Sequence, residues 1–386
     1  MNTLSRLSML AIPALHLAIP PHSQAQFWQK SARDYSIAGN RWQAALNQAC
    51  LDGLLPWLQS ERDPTAQVWA KASSRASFWE VVNGAAIDLH DRRLVLIPTT
   101  AIDFGELRVP QEWIDLPSWA GDYYLSIYVN LDDGEIQVLG YTTHQQLKQQ
   151  GQYDPLDRTY SYDGDDLIGD LNVLWLDRQL CPTAVRCAAI APLPQIRLEQ
   201  AENLLTRLGT PDLLRPRLAV PFPLWGALME HSGWRQQLYR DRLGLLEQWS
   251  MAKWFQSEIS ELGQQLGWAM MTMEPNLVLA RGEYSSTTKI LLRQLTIAGQ
   301  AYELRIFPTG ENLWRFELHC TTTNQIARGV KLRLLTADLL PFANNEDLAL
   351  TATDRLYLDI HVSPGDGLVW EIEPQPDRFD REILRF

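Results

Sequence analysis

Trp314-Arg315-Phe316-Glu317-Leu318-His319-Cys320 and Leu356-Tyr357-Leu358-Asp359-Ile360-His361-Val362 alternate apolar and polar side chains without a break. A period of two sends the two sets to opposite faces of a strand, one to be buried and one to meet water. From Thr288 onward such runs recur at short spacing, with turn residues at Gly299, Gly310, Asn344-Asn345 and Pro364-Gly365. They amount to about seven strands, the number that an immunoglobulin-like β-sandwich uses, although the Cys–Trp–Cys hallmark of antibody domains is missing. Modules of this kind bind more often than they catalyse, so the tail points to recognition.

Working back from the tail, the patterning changes. Leu198, Ala201, Leu204, Leu205 and Leu208 recur at helical spacing, with Gly209 at the stop and Pro211 behind it. Helical signals continue from Leu224 to Leu246 and, more weakly, to Leu266. Pro182, Pro192 and Pro194 mark a boundary before this segment. Further back, Tyr123, Leu125, Ile127 and Val129 lead into Asp132-Asp133-Gly134, and Ile136 and Val138 return, which predicts a hairpin. Ile87 and Leu89 with Leu94 and Leu96 predict another, turning at His90-Asp91-Arg92. Thr142 or Thr143 is placed to cap a short helix that Gly151 ends. A helix is predicted from Ser23 to about Ser60, bent or ended near Pro56, and a second through Ala66 to Ala72. Ala14 to Ile19 reads as a short strand rather than as a signal peptide, because Pro13 and His16 interrupt the apolar run. The predicted fold class is therefore α+β: a mixed domain of helices and hairpins at 14–195, a helical segment at 196–270 and a β-sandwich at 285–386.

Composition narrows the function classes. At 386 residues the chain is long for one core, and 46% apolar with 21% charged residues is ordinary for a globular protein. The net charge of −12, with no run of Lys or Arg, disfavours nucleic acid as a partner. No apolar stretch reaches the length of a membrane span, and a soluble, cytoplasmic protein is expected. Of four cysteines, Cys50 and Cys320 lie on apolar faces, while Cys181 and Cys187 are near enough in sequence for a bridge to be considered.

Candidate chemistry is sparse. Asp163-Gly164-Asp165-Asp166, with Asp170 nearby, is the best metal candidate, since hard cations want converging carboxylate oxygens. The cluster lacks the order of a calcium loop, and the same residues also suit a turn that caps a helix. The seven histidines form no metal-binding pair, and no nucleophile elbow or phosphate-binding glycine loop occurs. No cofactor and no catalytic residue is expected from these patterns. The densest group of large and polar side chains runs from Pro221 to Arg235. Trp225, Trp234 and Arg235 in it are candidates for a partner-binding surface, because Trp and Arg are enriched at such places. Packing between segments is the competing reading.

Several ordered segments carry a resemblance: Asn40-Arg41-Trp42 through Leu58, Asp165-Asp166-Leu167, Asp170-Leu171-Asn172-Val173-Leu174-Trp175, Ala201-Glu202-Asn203-Leu204-Leu205, Arg207-Leu208-Gly209, Pro216-Arg217-Leu218 and Leu224-Trp225-Gly226-Ala227-Leu228. In these the chain resembles a cyanobacterial family known only as domain of unknown function eighteen twenty-two, from about Leu15 to the carboxyl end. The resemblance brings no catalytic residues with it. It implies proteins whose genes lie near those of caspase-like proteins or sigma factors, hence a regulatory or adaptor role. The expected function is a non-catalytic protein-binding, adaptor or regulatory protein with another protein as partner. The alternative is a hydrolase or metal-dependent enzyme using Asp163 to Asp170.

Overall fold

The computed structural model describes residues 15–101, 105–181, 186–245, 251–257, 259, 263–264, 267–273, 288–377, 379 and 381–386. The chain is mixed α+β and separates into two compact units, one of residues 1–195 and 206–230, the other of 196–205 and 231–386.

The first unit is built on a six-stranded sheet. Its strands lie in the order Leu15–Ala18, Glu135–Thr143, Tyr123–Asn130, Arg93–Thr99, Ala85–Asp88 and Gln67–Val68. Only Arg93–Thr99 and Tyr123–Asn130 run parallel; the other pairs are antiparallel. Both predicted hairpins are present, and Gly134 takes the left-handed conformation that its tight turn needs (φ 67°). Thr143 caps helix His144–Gln150 through a capping box with Gln146. A smaller antiparallel sheet follows the order Glu106–Pro110, Thr159–Asp163, Gln152–Asp154.

Helix Ala38–Glu61 packs on the larger sheet through Ala45, Ala49, Leu54 and Leu58. Gly53 sits where a Cβ would come within 2.7 Å of Ile136 Cδ1, so a side chain there would press on that buried isoleucine. The helix continues past Pro56 and ends at Glu61, next to the expected end at Ser60. Pro56 lies on the exposed side, where water can satisfy the carbonyl it leaves unpaired, while Leu54 and Leu58 hold the inner side.

Two expectations fail here. The single helix expected from Ser23 to Ser60 is two helices, Pro21–Lys30 and Ala38–Glu61, joined through a 3-10 turn at Ser31–Arg33. The break is pinned from outside: the backbone N–H of Ser36 donates to Glu80 Oε2 at 3.0 Å, and the Ser36 hydroxyl donates to Glu80 Oε1. The helix expected at Ala66 to Ala72 is instead strand Gln67–Val68 followed by helix Ala72–Trp79. Trp69 decides this, because its ring joins Phe78, Trp113 and Trp119 in one aromatic cluster and its backbone N–H donates to Ala86 O at 3.0 Å.

The second unit contains two antiparallel sheets around one core. The first has the order Trp268–Met273, Thr288–Ile297, Gln300–Gly310, Leu313–Cys320, Leu356–His361; the second, Glu346–Leu348, Lys331–Thr336, Gly367–Glu373, Ile383–Arg385. The apolar parity read at the outset points inward: Phe316, Leu318, Leu356 and Leu358 share the core with Leu332, Leu334, Trp370 and Leu384. Eight strands are described from Thr288 onward, the eighth being Ile383–Arg385. A ninth, Trp268–Met273, edges the first sheet and straddles position 270, where the helical segment was expected to end. One buried carboxylate ties the sheets together: Glu382 Oε1 accepts the indole N–H of Trp268 at 3.1 Å and of Trp370 at 3.0 Å, and also pairs with Arg293.

Candidate functional site

The acidic cluster that sequence singled out works as two helix caps. Asp163 Oδ1 accepts the N–H of Asp165 at 2.9 Å and starts a 3-10 turn at Gly164–Asp166. Asp170 Oδ1 accepts the N–H of Asn172 at 2.9 Å and caps helix Leu171–Leu180. Among the described residues no group of three or more acids, histidines or cysteines is placed to hold a metal ion. Asp165 and Asp166 occupy the turn itself. Between the two caps, Ile168 forms an isolated bridge with Tyr141, and a Cβ on Gly140 would stand 2.9 Å from Leu167 Cβ. The close crossing at Gly140 therefore sets where the capped helix begins.

That helix carries the feature the sequence reading missed. Leu174 and Trp175 are buried, while Val173, Leu176 and Leu180 are exposed by 44%, 55% and 70%. Positions i, i+3 and i+7 lie on one face, so the three side chains form an apolar ridge in water. The signal was available: Leu171, Val173, Leu174, Trp175, Leu176 and Leu180 surround the helix with apolar side chains, more than one buried stripe requires.

Ionic contacts fix the helix in place. Arg178 donates to Asp63 Oδ2 at 2.9 Å and to Asp91 Oδ1 at 2.8 Å. Burial works against the Asp63 charge, but hydrogen bonds from Thr65, Arg178 and the backbone of His90 outweigh it and hold its carboxyl well below the usual range. Arg186 clasps Asp177 with two hydrogen bonds of 2.9 and 2.6 Å. Beside the ridge opens a cleft of about 410 Å³ lined by Glu61, Arg62, His90, Asp91, Trp175 and Gln179. Arg62 is exposed, lies 5.5 Å from the Trp57 ring, donates to Asn172 Oδ1 at 2.8 Å and forms no ion pair among the described residues. The buried indole N–H of Trp175 has no acceptor among them either.

The residues expected to form a docking surface lie elsewhere and are buried. Trp225 is fully buried in helix Phe222–Glu230, and its indole N–H donates to Glu112 Oε1 at 2.8 Å. Glu112, itself inaccessible, also takes two hydrogen bonds from Arg217. Trp234 stacks on His231 at 4.1 Å between ring centroids, and His231 caps the helix Ser232–Arg242 that holds both Trp234 and Arg235. Trp234 and Arg235 are 4% and 3% exposed, so neither can meet a partner directly. Cys181 and Cys187 are free thiols, as are Cys50 and Cys320. Burial and the neighbouring Asp122 push the Cys187 thiol up to about 11, which leaves it a poor nucleophile.

A family model described as "Protein of unknown function (DUF1822)" matches residues 17–385. The chain belongs to that family. The match runs through both compact units. No curated protein matches the chain, and no solved structure does. Among the described residues no helix is long and apolar enough to cross a membrane.

Proposed function

We propose that this member of the family is a non-catalytic adaptor or regulatory protein of the cytoplasm that docks another protein on the ridge Val173–Leu176–Leu180. The observation that carries the reading is that ridge: three large apolar side chains in register on a helix held rigid by Asp170, Asp177 and Arg178. Burying one such side chain yields about 1.5–3 kcal/mol, so covering all three would supply much of the free energy of a specific complex. The spacing suits an amphipathic partner helix, whose apolar face would lie along the ridge. Arg62, with donors to spare at the neighbouring cleft, favours an acidic residue at the partner's edge. A cyanobacterial source, an immunoglobulin-like form for the tail, and a partner from caspase-like or sigma-factor signalling belong to the same proposal. They rest on the resemblance and the strand pattern.

The test compares affinity capture from the native host by the wild-type chain and by Leu176→Asp. The expected result is one protein recovered in stoichiometric amount by the wild type and lost with the variant, while the melting temperatures of the two baits agree. Equal recovery by both would sink the reading. Self-association abolished by Leu176→Asp would sink it too, by making the occupant a second copy of this chain.

A further inference from the structure

A second cavity in the first unit, sharing no residue with the ridge, is built for a different ligand. It measures about 330 Å³ and lies among helices Pro21–Lys30, Ala38–Glu61 and Ala72–Trp79. That volume is enough for a small molecule. Its charged lining is balanced: Arg75 and Lys30 against Asp34 and Asp52. The charges are also kept apart. The Gln48 carboxamide accepts from Arg75 Nη1 at 3.1 Å and donates to Asp52 Oδ1 at 2.7 Å, so one amide stands between guanidinium and carboxylate. Arg75 is half-buried and, among the described residues, forms no ion pair and uses one of its five N–H donors. It lies 5.6 Å from the centroid of Trp79, whose ring, with Phe27, supplies the apolar part of the lining.

We propose that this cavity binds a small zwitterion of the α-amino-acid class, its carboxylate received by Arg75 and its ammonium by Asp52 and Asp34. An anion alone would meet the two aspartates, and a cation alone would meet Arg75 and Lys30; a ligand carrying both charges satisfies both sets. Phe27 and Trp79 favour an apolar side chain on it. Burial already weakens both kinds of charge. It raises the pKa of Asp34 against the pull of Arg41, and it lowers that of Arg75 against Asp52 and Tyr35. A bound zwitterion would relieve both.

The experiment is titration calorimetry on the full purified chain with L-leucine, N-acetyl-L-leucine and L-leucinamide, supported by thermal shift. L-Leucine is expected to bind and raise the melting temperature, with each blocked derivative at least about tenfold weaker because one charged group is left unpaired. In Arg75→Met, L-leucine and L-leucinamide should bind alike, since the carboxylate has lost its partner. In Asp52→Asn, the N-acetyl form should close most of its gap. Equal binding of the three ligands to the wild type overturns the proposal, as does no binding of any free apolar amino acid up to about 10 mM. The comparison of ligands on the unaltered chain needs no variant to fold, and its outcome is independent of whether the ridge docks a protein.

Discussion

Replacing Glu112 by Gln tests whether Trp225 and Arg217 are held by charge as well as by shape. The Glu112 side chain is inaccessible to water, and its two oxygens take hydrogen bonds from Arg217 and from the Trp225 indole. Burial opposes the charge on Arg217, whose side chain is 14% exposed, and Glu112 outweighs that opposition. Gln keeps an acceptor for the indole N–H but leaves the guanidinium without its counter-charge. Breaking a buried pair from one side costs about 3–5 kcal/mol. Arg217 retains the carbonyls of Asp157 and Arg158 as acceptors, which places the expected cost near the lower figure. For a unit of this size about 3 kcal/mol corresponds to a fall of roughly 6–12 °C in melting temperature. Urea unfolding followed by near-ultraviolet circular dichroism reads the difference through the buried tryptophans. Adding Arg217→Met to Glu112→Gln should recover about 2 kcal/mol, because the lone charge is gone. If the single variant costs under about 1 kcal/mol, or the two substitutions add without coupling, the charged pair is not what holds this region.

Three further outcomes are expected at other positions. Asp170→Ala should cost about 1 kcal/mol as a lost cap, and adding calcium or magnesium should leave the melting temperature of the wild type unchanged; a metal-dependent rise abolished by this substitution would restore the acidic cluster as a metal site. Gly53→Ala should destabilise by about 1–3 kcal/mol in urea unfolding, because its methyl group would press on Ile136; a stabilised variant would show that Ile136 can give way at no cost. His231 is buried, and burial above all, with Arg381 adding to it, lowers its pKa to about 4. Its neutral form is thus favoured by folding, so the stability it contributes is full above about pH 6.5 and drains away as pH falls to about 4. The loss is on the order of 3 kcal/mol, and it should be smaller in His231→Asn, which keeps a capping side chain, when urea midpoints are compared at pH 7 and pH 4.5.

The most legible features of the sequence are the local ones. The hairpin at Asp132-Asp133-Gly134, the capping box at Thr143 and the inward parity of Phe316 and Leu318 all follow from neighbours within a few positions. The segment from Ala66 to Ala72 shows the limit. Its composition suits a helix, but Trp69 gains more by joining an aromatic cluster whose other members lie at positions 78, 113 and 119. The acidic cluster shows it differently. Asp and Gly there were compatible with a metal or with a cap, and it is the fold that places the Asp170 carboxylate over the Asn172 N–H as a cap.

Periodicity, turn glycines and capping residues made the α+β class and many element positions legible, because each acts through backbone dihedrals and hydrogen bonds a few residues away. Which strands lie side by side, that Trp225 meets a carboxylate at position 112, that Arg75 faces a cavity and that Leu176 is left in water were decided by packing. Those outcomes depend on distant segments competing for the same apolar and charged partners, and the free energy of that competition is not contained in any short window of the chain.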